Sequence, residues 1–349
     1  MIRTAIIGAS GYSGAELVRL FSPREDIQIA QVIASSSAGK KVGDLYPAFA
    51  DAVDLMYEEF NKDHLEQIDV AFVALPSGEA MKVVPGLLKS VDRVIDLSGD
   101  FRLSSPARYK EFYKHEHTAP HLLSEAVYGL PELNADAIAN AKLVANPGCY
   151  STSVILALLP ALKIGLIKPE GIVINSLSGV SGAGRSASLE LSFTEVNENI
   201  HAYKIGTHQH IPEIQSVLER ATGTEVSFSF VPHLVPITRG IYTTIHATLD
   251  VAIDEREVRD LFTTFYNDAP FVRIREQTRQ TVPTSRDGLV PQIKDVVRTN
   301  FCYIGVTIVP RTKQLVLTAV IDNLVKGAAG QAIQNMNIMF NLPQQQGLL

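Results

Sequence analysis

The sequence is poor in several features that mark large protein classes. Tryptophan is absent, and only two of the 349 residues are cysteine, Cys149 and Cys302. Two cysteines are too few for a disulfide framework or for a thiolate metal site, and this usage is typical of a reducing compartment. We therefore expect a cytoplasmic protein that holds no metal ion.

Long apolar runs and clusters of one charge are also missing. The densest apolar run, residues 154–162, contains Pro160 and ends at Lys163, which is too short to span a membrane. The apolar stretch at residues 5–7 is too short for a signal peptide. The formal net charge is −6, and no run of Lys and Arg supplies the cations that bind nucleic-acid phosphates. We therefore expect neither a membrane nor a nucleic acid as a partner.

The length of the chain and a change in its pattern predict two domains. Up to residue 148, short buried strands alternate with helices and end in small or polar residues, which is typical of a doubly wound parallel sheet. Longer strands at residues 172–176, 226–231, 241–249, 301–309 and 314–321 predict that residues 149–321 form an α+β domain with a mostly antiparallel sheet. The apolar helix at residues 328–340 does not fit that second sheet, so we expect residues 322–349 to rejoin the first domain.

Three other segments have no obvious place in these sheets. Residues 61–67 predict a short helix, and residues 115–117 lie in a loop rich in Pro and His that we expect at the surface. Residues 343–347 are expected to form a frayed tail.

Three glycines near the start of the chain predict a dinucleotide site. Gly8, Gly11 and Gly14 lie between a predicted strand at residues 4–8 and an amphipathic helix at residues 14–21. Glycine permits a tight turn and a close approach of the backbone to a pyrophosphate at a helix N-terminus. Glycines that serve packing alone are the alternative.

The end of the second predicted strand indicates which dinucleotide binds. Enzymes that use NAD usually place Asp or Glu there to hold a ribose hydroxyl. This sequence has Ala34 and the serines 35–37, followed by Lys40 and Lys41. Hydroxyl groups and cations suit a 2′-phosphate, so we expect NADP(H). A serine-rich surface turn with solvated lysines is the alternative.

Cys149 is the candidate nucleophile. It follows the residues Asn-Pro-Gly at the end of a predicted strand and precedes a predicted helix at residues 151–162. The positive end of a helix dipole favours the thiolate, and the amides of the first turn suit a developing oxyanion. A buried structural cysteine is the alternative, and it is the role that we expect for Cys302 inside a predicted strand.

Two histidines separated by one residue, His208 and His210, are candidates for the base. Pro212 and Glu213 suit the first turn of a helix that follows them. A helix N-terminus lowers the pKa of a nearby histidine and so keeps the ring neutral, which is the form that accepts a proton. Both rings stay open as candidates. A metal site would need a third ligand, which is not evident in the sequence.

Nine stretches along nearly the whole chain resemble the N-acetyl-gamma-glutamyl-phosphate reductase family of arginine biosynthesis. They are GASGYSGAEL (8–17), ALPSGEA (74–80), DLSGDFRL (96–103), YGLPE (128–132), ANPGCY (145–150), SGVSGAGR (178–185), HQHIPEI (208–214), LVPITRG (234–240) and GAAGQAIQ (327–334). No single stretch is decisive, but nine in order are specific. The family usually has Pro after the Cys-Tyr pair, whereas this sequence has Ser151 at that position. Ser also suits the start of a helix.

The resemblance implies a Rossmann-like domain, a substrate and dimerisation domain, and a homodimer or homotetramer. It implies that Cys149 attacks N-acetyl-L-glutamyl 5-phosphate and expels inorganic phosphate. Hydride from NADPH then converts the thioester into N-acetyl-L-glutamate 5-semialdehyde. His210 is our choice for the acid/base group, and His208 is the reserve.

The resemblance also implies binding residues. For the cofactor they are Gly8, Ser10, Gly11, Tyr12, Ser13, Gly14, Ser36, Pro76, Ser77, Gly182 and Gln331. For the substrate they are Asp100, Arg102, Asn146, Ser181, Arg185 and Arg239. An arginine fork matches both carboxylate and phosphate groups, and ordinary surface ion pairs are the alternative.

Other functions remain open at this point. The same chemistry on aspartyl phosphate or on carrier-linked aminoadipyl phosphate would require a pocket of different length. A cysteine acyltransferase or hydrolase would use Cys149 and His210 without a dinucleotide, which would leave the glycine turn unexplained. A non-catalytic NADPH-sensing subunit would not need the nucleophile.

Overall fold

The chain divides into two compact units. The first consists of Met1–Gly148 and Ala328–Leu349, and the second of Cys149–Gly327. The computed structural model describes residues 1–61, 64–65, 67–275 and 290–349. Part of the short helix expected at residues 61–67 therefore lies outside the described residues.

The first unit is built on a seven-stranded sheet whose paired strands are parallel. In chain order the strands are β1 (Ile2–Ile7), β2 (Ile27–Ile33), β3 (Tyr57–Glu58), β4 (Val70–Val73), β5 (Arg93–Asp96), β6 (Val127–Tyr128) and β7 (Leu143–Ala145). Their order across the sheet is β3-β2-β1-β4-β5-β7-β6. The direction of winding reverses between β1 and β4, and ligands of such sheets bind at the carboxyl ends of the strands at that point.

Helices connect these strands and cover the sheet. They are α1 (Tyr12–Phe21), α2 (Val42–Leu45), α3 (Ala80–Leu87), α4 (Pro106–Tyr113) and α5 (Pro131–Ala139). All four residues of β4 are buried, as expected for a central parallel strand covered on both faces. The doubly wound parallel sheet that the sequence predicts is confirmed.

The second unit contains a mixed seven-stranded sheet. Its strands are β8 (Ile172–Gly179), β9 (His201–Ala202), β10 (Phe228–Val235), β11 (Ile241–Thr248), β12 (Val272–Ile274), β13 (Cys302–Val309) and β14 (Gln314–Ile321). Their order is β12-β13-β14-β11-β8-β10-β9. Among these described strands, β8 pairs with β10 and β12 with β13 in parallel, and the other four neighbouring pairs are antiparallel. The sheet is thus mostly antiparallel, as predicted.

A long apolar helix lies at the centre of the second unit. The helices of this unit are α6 (Cys149–Lys163), α7 (Phe193–Val196), α8 (His210–Thr222) and α9 (Glu255–Phe265). Helix α6 is buried on all sides from Tyr150 to Ala161, because it packs between the strands β11 and β14 and the helices α8 and α9. A mostly apolar helix that is buried on all sides belongs in a core. Its first residue, Cys149, is held by that packing.

The last helix, α10 (Gly330–Met339), packs against α1, α5 and β5 of the first unit. The chain after it is fixed by polar side chains. Asn337 Nδ2 donates hydrogen bonds to the carbonyl oxygens of Gln344 and Gln346, and the buried Arg24 guanidinium also donates to Gln346 O. The expectation of a frayed tail was wrong, because these donors satisfy the carbonyl groups of the tail.

Candidate active site

The glycine turn lies at the carboxyl end of β1. Gly8 has φ +86°, and a Cβ atom there would lie 2.2 Å from the carbonyl oxygen of Ala74. A Cβ atom on Gly14 would lie 2.4 Å from the carbonyl oxygen of Gly8. At Gly11 the nearest atom is 3.4 Å away, so packing alone does not require glycine there. Gly11 is the N-cap of α1 and offers no side chain to cover its amides, which suits the approach of an anion.

The neighbouring loops frame this turn. The Tyr46 hydroxyl donates to the carbonyl oxygen of Ser10, and Ser77 Oγ accepts from the amide of Gly99. Two further candidates for the cofactor, Tyr12 and Pro76, are exposed. These contacts hold Tyr46 against the glycine turn and hold the loop after β4 against the loop after β5.

The turn after β2 contains the residues expected to meet a 2′-phosphate. Ser35, Ser36 and Lys40 are exposed, whereas Ser37 is buried. Lys41 forms an ion pair with Asp54 at 2.9 Å. The hydroxyl groups and the Lys40 cation are therefore the groups of this turn that fit a phosphate.

Gln331 in α10 carries a buried acceptor. Its Nε2 atom donates to the carbonyl oxygen of Gly129 at 3.1 Å, while its Oε1 atom is buried and makes no hydrogen bond within the described residues. An unsatisfied buried acceptor costs about 1–3 kcal/mol. An amide donor such as the carboxamide of a nicotinamide would satisfy it. The first unit therefore fits a dinucleotide at the glycine turn and at Gln331.

Asp100 connects the loops that follow β4 and β5. The residue is fully buried, and its carboxylate accepts from the amides of Gly78 and Met81 and from the Tyr109 hydroxyl. Three donors satisfy this buried charge. Asp100 therefore shapes the loop at Pro76–Gly78.

Arg102 and Asn146 also hold backbone groups. Arg102 donates to the carbonyl oxygens of Asn146 and Leu97. Asn146 is fully buried, and its side chain accepts from Asn335 Nδ2 and donates to the carbonyl oxygen of Ala328. These two candidates therefore tie together the ends of β5 and β7 and the start of the last helical segment.

The segment at residues 115–117 lies only partly at the surface. Glu116 is exposed, as expected, but His117 is buried. The His117 Nε2 atom lies 2.9 Å from the carbonyl oxygen of Asp100, and its Nδ1 atom accepts from the amide of Ala119. Burial lowers the pKa of His117. The surface expectation was wrong for His117, because a neutral imidazole there satisfies one donor and one acceptor of the backbone at once.

Cys149 begins helix α6 and is partly exposed, whereas Cys302 is fully buried, as expected. Gly327 packs against Cys149. A Cβ atom on Gly327 would lie 2.8 Å from the Cβ atom of Cys149, so any larger residue would displace the cysteine. The thiol is therefore reachable and closely held.

The two candidate histidines lie beside the start of α6. The Tyr150 ring centroid is 5.5 Å from that of His208 and 5.8 Å from that of His210. The two histidine rings are 4.7 Å apart. Because Tyr150 follows Cys149 in the chain, both histidines lie next to the N-terminus of α6, the helix that Cys149 begins.

The two rings differ in their backbone contacts. His208 Nδ1 accepts from the amide of His210, the first residue of α8, at 3.1 Å. Burial and, to a smaller extent, the charge of His210 lower the pKa of His208 to about 2. The sequence predicted a lowered pKa from the helix N-terminus, but burial is the main cause. His208 is therefore a neutral cap of α8.

Tyr150, which is buried, and Tyr203, which is partly buried, complete the surroundings of the thiol. The hydroxyl groups of Tyr150 and Tyr203 lie 2.9 Å apart. Burial raises the pKa of Tyr203 to about 12 and raises the pKa of Tyr150 as well, and the charge of Cys149 contributes to both shifts. Both hydroxyl groups thus keep their protons. Sequence reasoning missed Tyr203, since no motif marks it.

Arg239 and Ser181 of the second unit are each held by a buried partner. Arg239 Nε lies 3.0 Å from the Asp322 carboxylate, and Asn323 Nδ2 donates to Ser181 Oγ at 2.9 Å. Sequence reasoning missed Asp322 and Asn323. By contrast, Arg185 is exposed.

Gly182 also lies in the second unit, in the turn Val180–Ala183, and it is exposed. No group of three His, Cys, Asp or Glu side chains among the described residues is arranged to hold a metal ion. In the same residues, no helix is long and apolar enough to cross a membrane.

Two family models together match most of the chain. Residues 3–141 match the semialdehyde dehydrogenase NAD binding domain, and residues 149–323 match the semialdehyde dehydrogenase dimerisation domain. The chain therefore belongs to the semialdehyde dehydrogenase family and is an NAD(P)-dependent oxidoreductase that forms oligomers.

Curated relatives narrow this class, and they confirm the resemblance seen in the sequence. The N-acetyl-gamma-glutamyl-phosphate reductase of Pelotomaculum thermopropionicum is 47% identical over 348 residues, which cover 99% of this chain and 97% of the relative. The protein of the same name from Symbiobacterium thermophilum is 46% identical, and the alignment covers 100% of this chain and 97% of that relative.

Solved structures share the fold. Aspartate semialdehyde dehydrogenase II from Vibrio cholerae, complexed with ASA, aligns with a TM-score of 0.72 at 18% identity over 98% of each chain. Aspartate semialdehyde dehydrogenase with NADP from Candida albicans aligns with a TM-score of 0.68 at 16% identity, over 98% of this chain and 99% of its own.

Proposed function

We propose that this chain reduces N-acetyl-L-glutamyl 5-phosphate to N-acetyl-L-glutamate 5-semialdehyde and inorganic phosphate through a thioester on Cys149. The observation that carries the proposal is the position of Cys149. It is a partly exposed thiol at the first residue of a buried helix, in a chain 47% identical to a reductase named for this substrate.

The chemistry begins at the thiol. The positive end of α6 stabilises the thiolate of Cys149, which attacks the acyl carbon, and the carbon–oxygen bond to phosphate breaks. NADPH, when bound, supplies the hydride. Collapse of the resulting thiohemiacetal breaks the carbon–sulfur bond, releases the aldehyde and restores the thiolate.

We assign proton transfer to His210 and a supporting role to His208. The ring of His208 already accepts the amide at the start of α8, so a proton on that nitrogen would break the cap. His210 takes the thiol proton before the attack and protonates the oxygen that becomes negative after reduction. It takes that proton back when the thiohemiacetal collapses to the aldehyde and the thiolate. The Tyr150 and Tyr203 hydroxyl groups, which keep their protons, stabilise negative charge beside the sulfur.

We assign the substrate's anionic groups to Arg239 and Ser181, with Arg185 at the exposed edge. In the first unit, Asp100, Arg102 and Asn146 set the shape of the loops, because their polar atoms are engaged with the backbone and with neighbouring side chains.

NADPH fits the glycine turn, Gln331 and the turn after β2, where hydroxyl groups and Lys40 replace the acid that NAD enzymes usually carry. We assign Ser10, Tyr12, Ser13, Pro76, Ser77 and Gly182 to its surroundings. We further propose a homodimer or homotetramer, which the match to a dimerisation domain supports. Both cysteines are free thiols, and this supports a cytoplasmic location.

The reverse reaction tests the proposal. The chain should reduce NADP in the presence of N-acetylglutamate semialdehyde, and only when phosphate is added. Aspartate semialdehyde and aminoadipate semialdehyde should react poorly at the same concentrations. Phosphate-independent reduction, or a preference for either other aldehyde, would contradict the proposal. Hydrolysis of the acyl phosphate without binding of NADPH would instead support a cysteine hydrolase.

A further inference from the structure

Asp322, directly after β14, is a buried carboxylate whose two oxygens are both used. Its side chain is fully buried. Oδ2 accepts from the amide of Arg298 at 2.6 Å, and Oδ1 accepts from the amide of Leu324 at 2.8 Å. These bonds fix the carboxylate in one orientation, as a buried charge requires.

The same carboxylate holds Arg239. Arg239 Nε lies 3.0 Å from Oδ2, and Arg239 Nη2 donates to Oδ1 at 3.1 Å. Only 14% of the Arg239 side chain is exposed. A two-point contact between a guanidinium and a carboxylate fixes the plane of the guanidinium as well as its position.

Asn323 holds two groups close to Arg239 by hydrogen bonds. Its Oδ1 atom accepts from the amide of Gly240 at 2.7 Å, which fixes the residue after Arg239. Its Nδ2 atom donates to Ser181 Oγ at 2.9 Å. Two consecutive residues therefore hold the two side chains that we assign to the substrate's anionic groups.

The backbone of Asp322 is connected to Cys149 through Gly327. The carbonyl oxygen of Asp322 accepts from the amide of Gly327 at 2.9 Å, and Gly327 packs against Cys149. The end of β14 thus connects to the substrate groups through its side chains and to the cysteine through its main chain.

We infer that Asp322 and Asn323 are positioning residues that hold Arg239 and Ser181 in the geometry that binds the acyl phosphate. This inference rests on the proposed function, because that function makes Arg239 a substrate ligand. A buried ion pair contributes little to stability compared with apolar residues of the same shape. The geometry of Arg239 is therefore the property that Asp322 determines.

Asp322→Asn tests the inference, because it keeps the shape of the side chain and removes its charge. At saturating NADPH, KM for N-acetylglutamyl phosphate should rise by on the order of 100-fold, as expected for a misplaced binding group. The fall in kcat should be much smaller, and the affinity for NADPH should be unchanged. An unchanged KM would overturn the inference.

Glu255→Gln is the matched control. Glu255 also accepts from one arginine, Arg259, and from one backbone amide, that of Ile308. This variant should keep the KM of the unchanged chain. An equal rise of KM in both variants would overturn the inference, because it would indicate a general loss of structure.

A double-mutant cycle separates positioning from packing. If Asp322 acts through Arg239, then Asp322→Asn should raise KM no further in an Arg239→Ala background. Additive effects would overturn the inference. If Asp322→Asn does not fold, Asn323→Ala serves instead and should raise KM by a smaller factor at unchanged NADPH affinity. An unchanged KM in that variant would overturn the inference.

Protection of Cys149 separates this inference from the proposed function, because it needs no turnover. Inorganic phosphate should slow alkylation of Cys149 by iodoacetamide in the unchanged chain and in Glu255→Gln, but not in Asp322→Asn. Equal protection in all three would overturn the inference, even if the reaction occurs as proposed. Absence of turnover, together with protection lost only in Asp322→Asn, would contradict the proposed function and leave the positioning role supported.

Discussion

At the scale of single residues, backbone contacts distinguish two histidines that look equivalent in the sequence. His208 accepts the amide that begins α8, and its pKa is about 2, so it stays neutral throughout the working range. His210 is the first residue of the helix and contacts the ring of Tyr150. We therefore propose that His210 does the acid/base work and that His208 supports it.

A pair of substitutions tests this division. In His208→Asn, the side-chain oxygen can still accept the amide of His210, so kcat should stay within about ten-fold of the unchanged chain. His210→Asn should lower kcat by about 10²–10⁴-fold, the usual contribution of a general acid or base. Steady-state rates at pH 7 and melting temperatures of both variants provide the measurement. A larger loss in His208→Asn would reverse the assignment.

The sequence identified residues whose role follows from their local position. Cys149 could be predicted because it stands between a strand end and a helix start, and the histidines because a helix start follows them. Asp322, Asn323 and Tyr203 could not, because their partners Arg239, Ser181 and Tyr150 are distant in the chain. Long-range polar pairs leave no periodic or motif signal.

At the scale of elements, the turn between β1 and α1 contains two glycines that are required for different reasons. Gly8 has a positive φ and a backbone oxygen 2.2 Å from any added Cβ atom, whereas Gly11 has φ −77° and ordinary space around it. Packing therefore explains Gly8. We propose that the approach of a ligand explains Gly11.

Alanine at each position should separate these effects. Gly8→Ala should lower the free energy of unfolding by about 2 kcal/mol or more, since strain and a backbone clash both act there. Gly11→Ala should leave stability within about 0.5 kcal/mol but weaken NADPH binding about ten-fold, or about 1.4 kcal/mol. Urea unfolding and a fluorescence titration measure the two quantities. Unchanged NADPH affinity in Gly11→Ala would favour glycines that serve packing alone.

Elements were predictable in proportion to their length and pattern. The strand β14 matches the prediction at both ends, and β11 and β13 match to within one residue. The strands β3, β6 and β9 have two residues each, which is too short for an alternating pattern to develop. Helix α9 escaped prediction although its start carries a signal, the capping box of Asp254 and Glu257.

At the scale of the whole molecule, a buried carboxyl group couples folding to pH. Burial and, to a smaller extent, the charge of Asp100 raise the pKa of Asp96 to about 7. Between the ordinary pKa of 3.8 and about 7, the folded chain holds a proton that the unfolded chain has lost. The contribution of Asp96 to stability should therefore fall as pH rises through this window, by about 1.4 kcal/mol per pH unit at most.

Asp96→Asn should remove this contribution. The difference in unfolding free energy between the variant and the unchanged chain should shift in favour of the variant by about 1 kcal/mol or more from pH 5 to pH 8. Urea unfolding at the two pH values gives the difference. Asp136→Asn, at an exposed position of α5, is the control and should follow the unchanged chain. A variant that loses as much stability as the unchanged chain would show that Asp96 is ionised in the folded state at pH 5.

Alternation of strands and helices was enough to predict the overall class of each unit. Strand pairing was harder to predict. β8 lies between β10, its parallel neighbour, and β11, its antiparallel neighbour, and all three strands have similar apolar patterns. Pairing depends on the chain that connects the strands, and the long connection from β8 to β10 contains both α7 and α8. A single sequence does not reveal such an arrangement.

The central claim is that Cys149 carries the acyl group during the reaction. Mixing the chain with N-acetylglutamyl phosphate in the absence of NADPH, followed by intact-protein mass spectrometry, tests it most directly. The account predicts one N-acetylglutamyl adduct on Cys149 and one phosphate released per chain, and neither in Cys149→Ser. Turnover without any adduct, or an adduct that persists in Cys149→Ser, would contradict it.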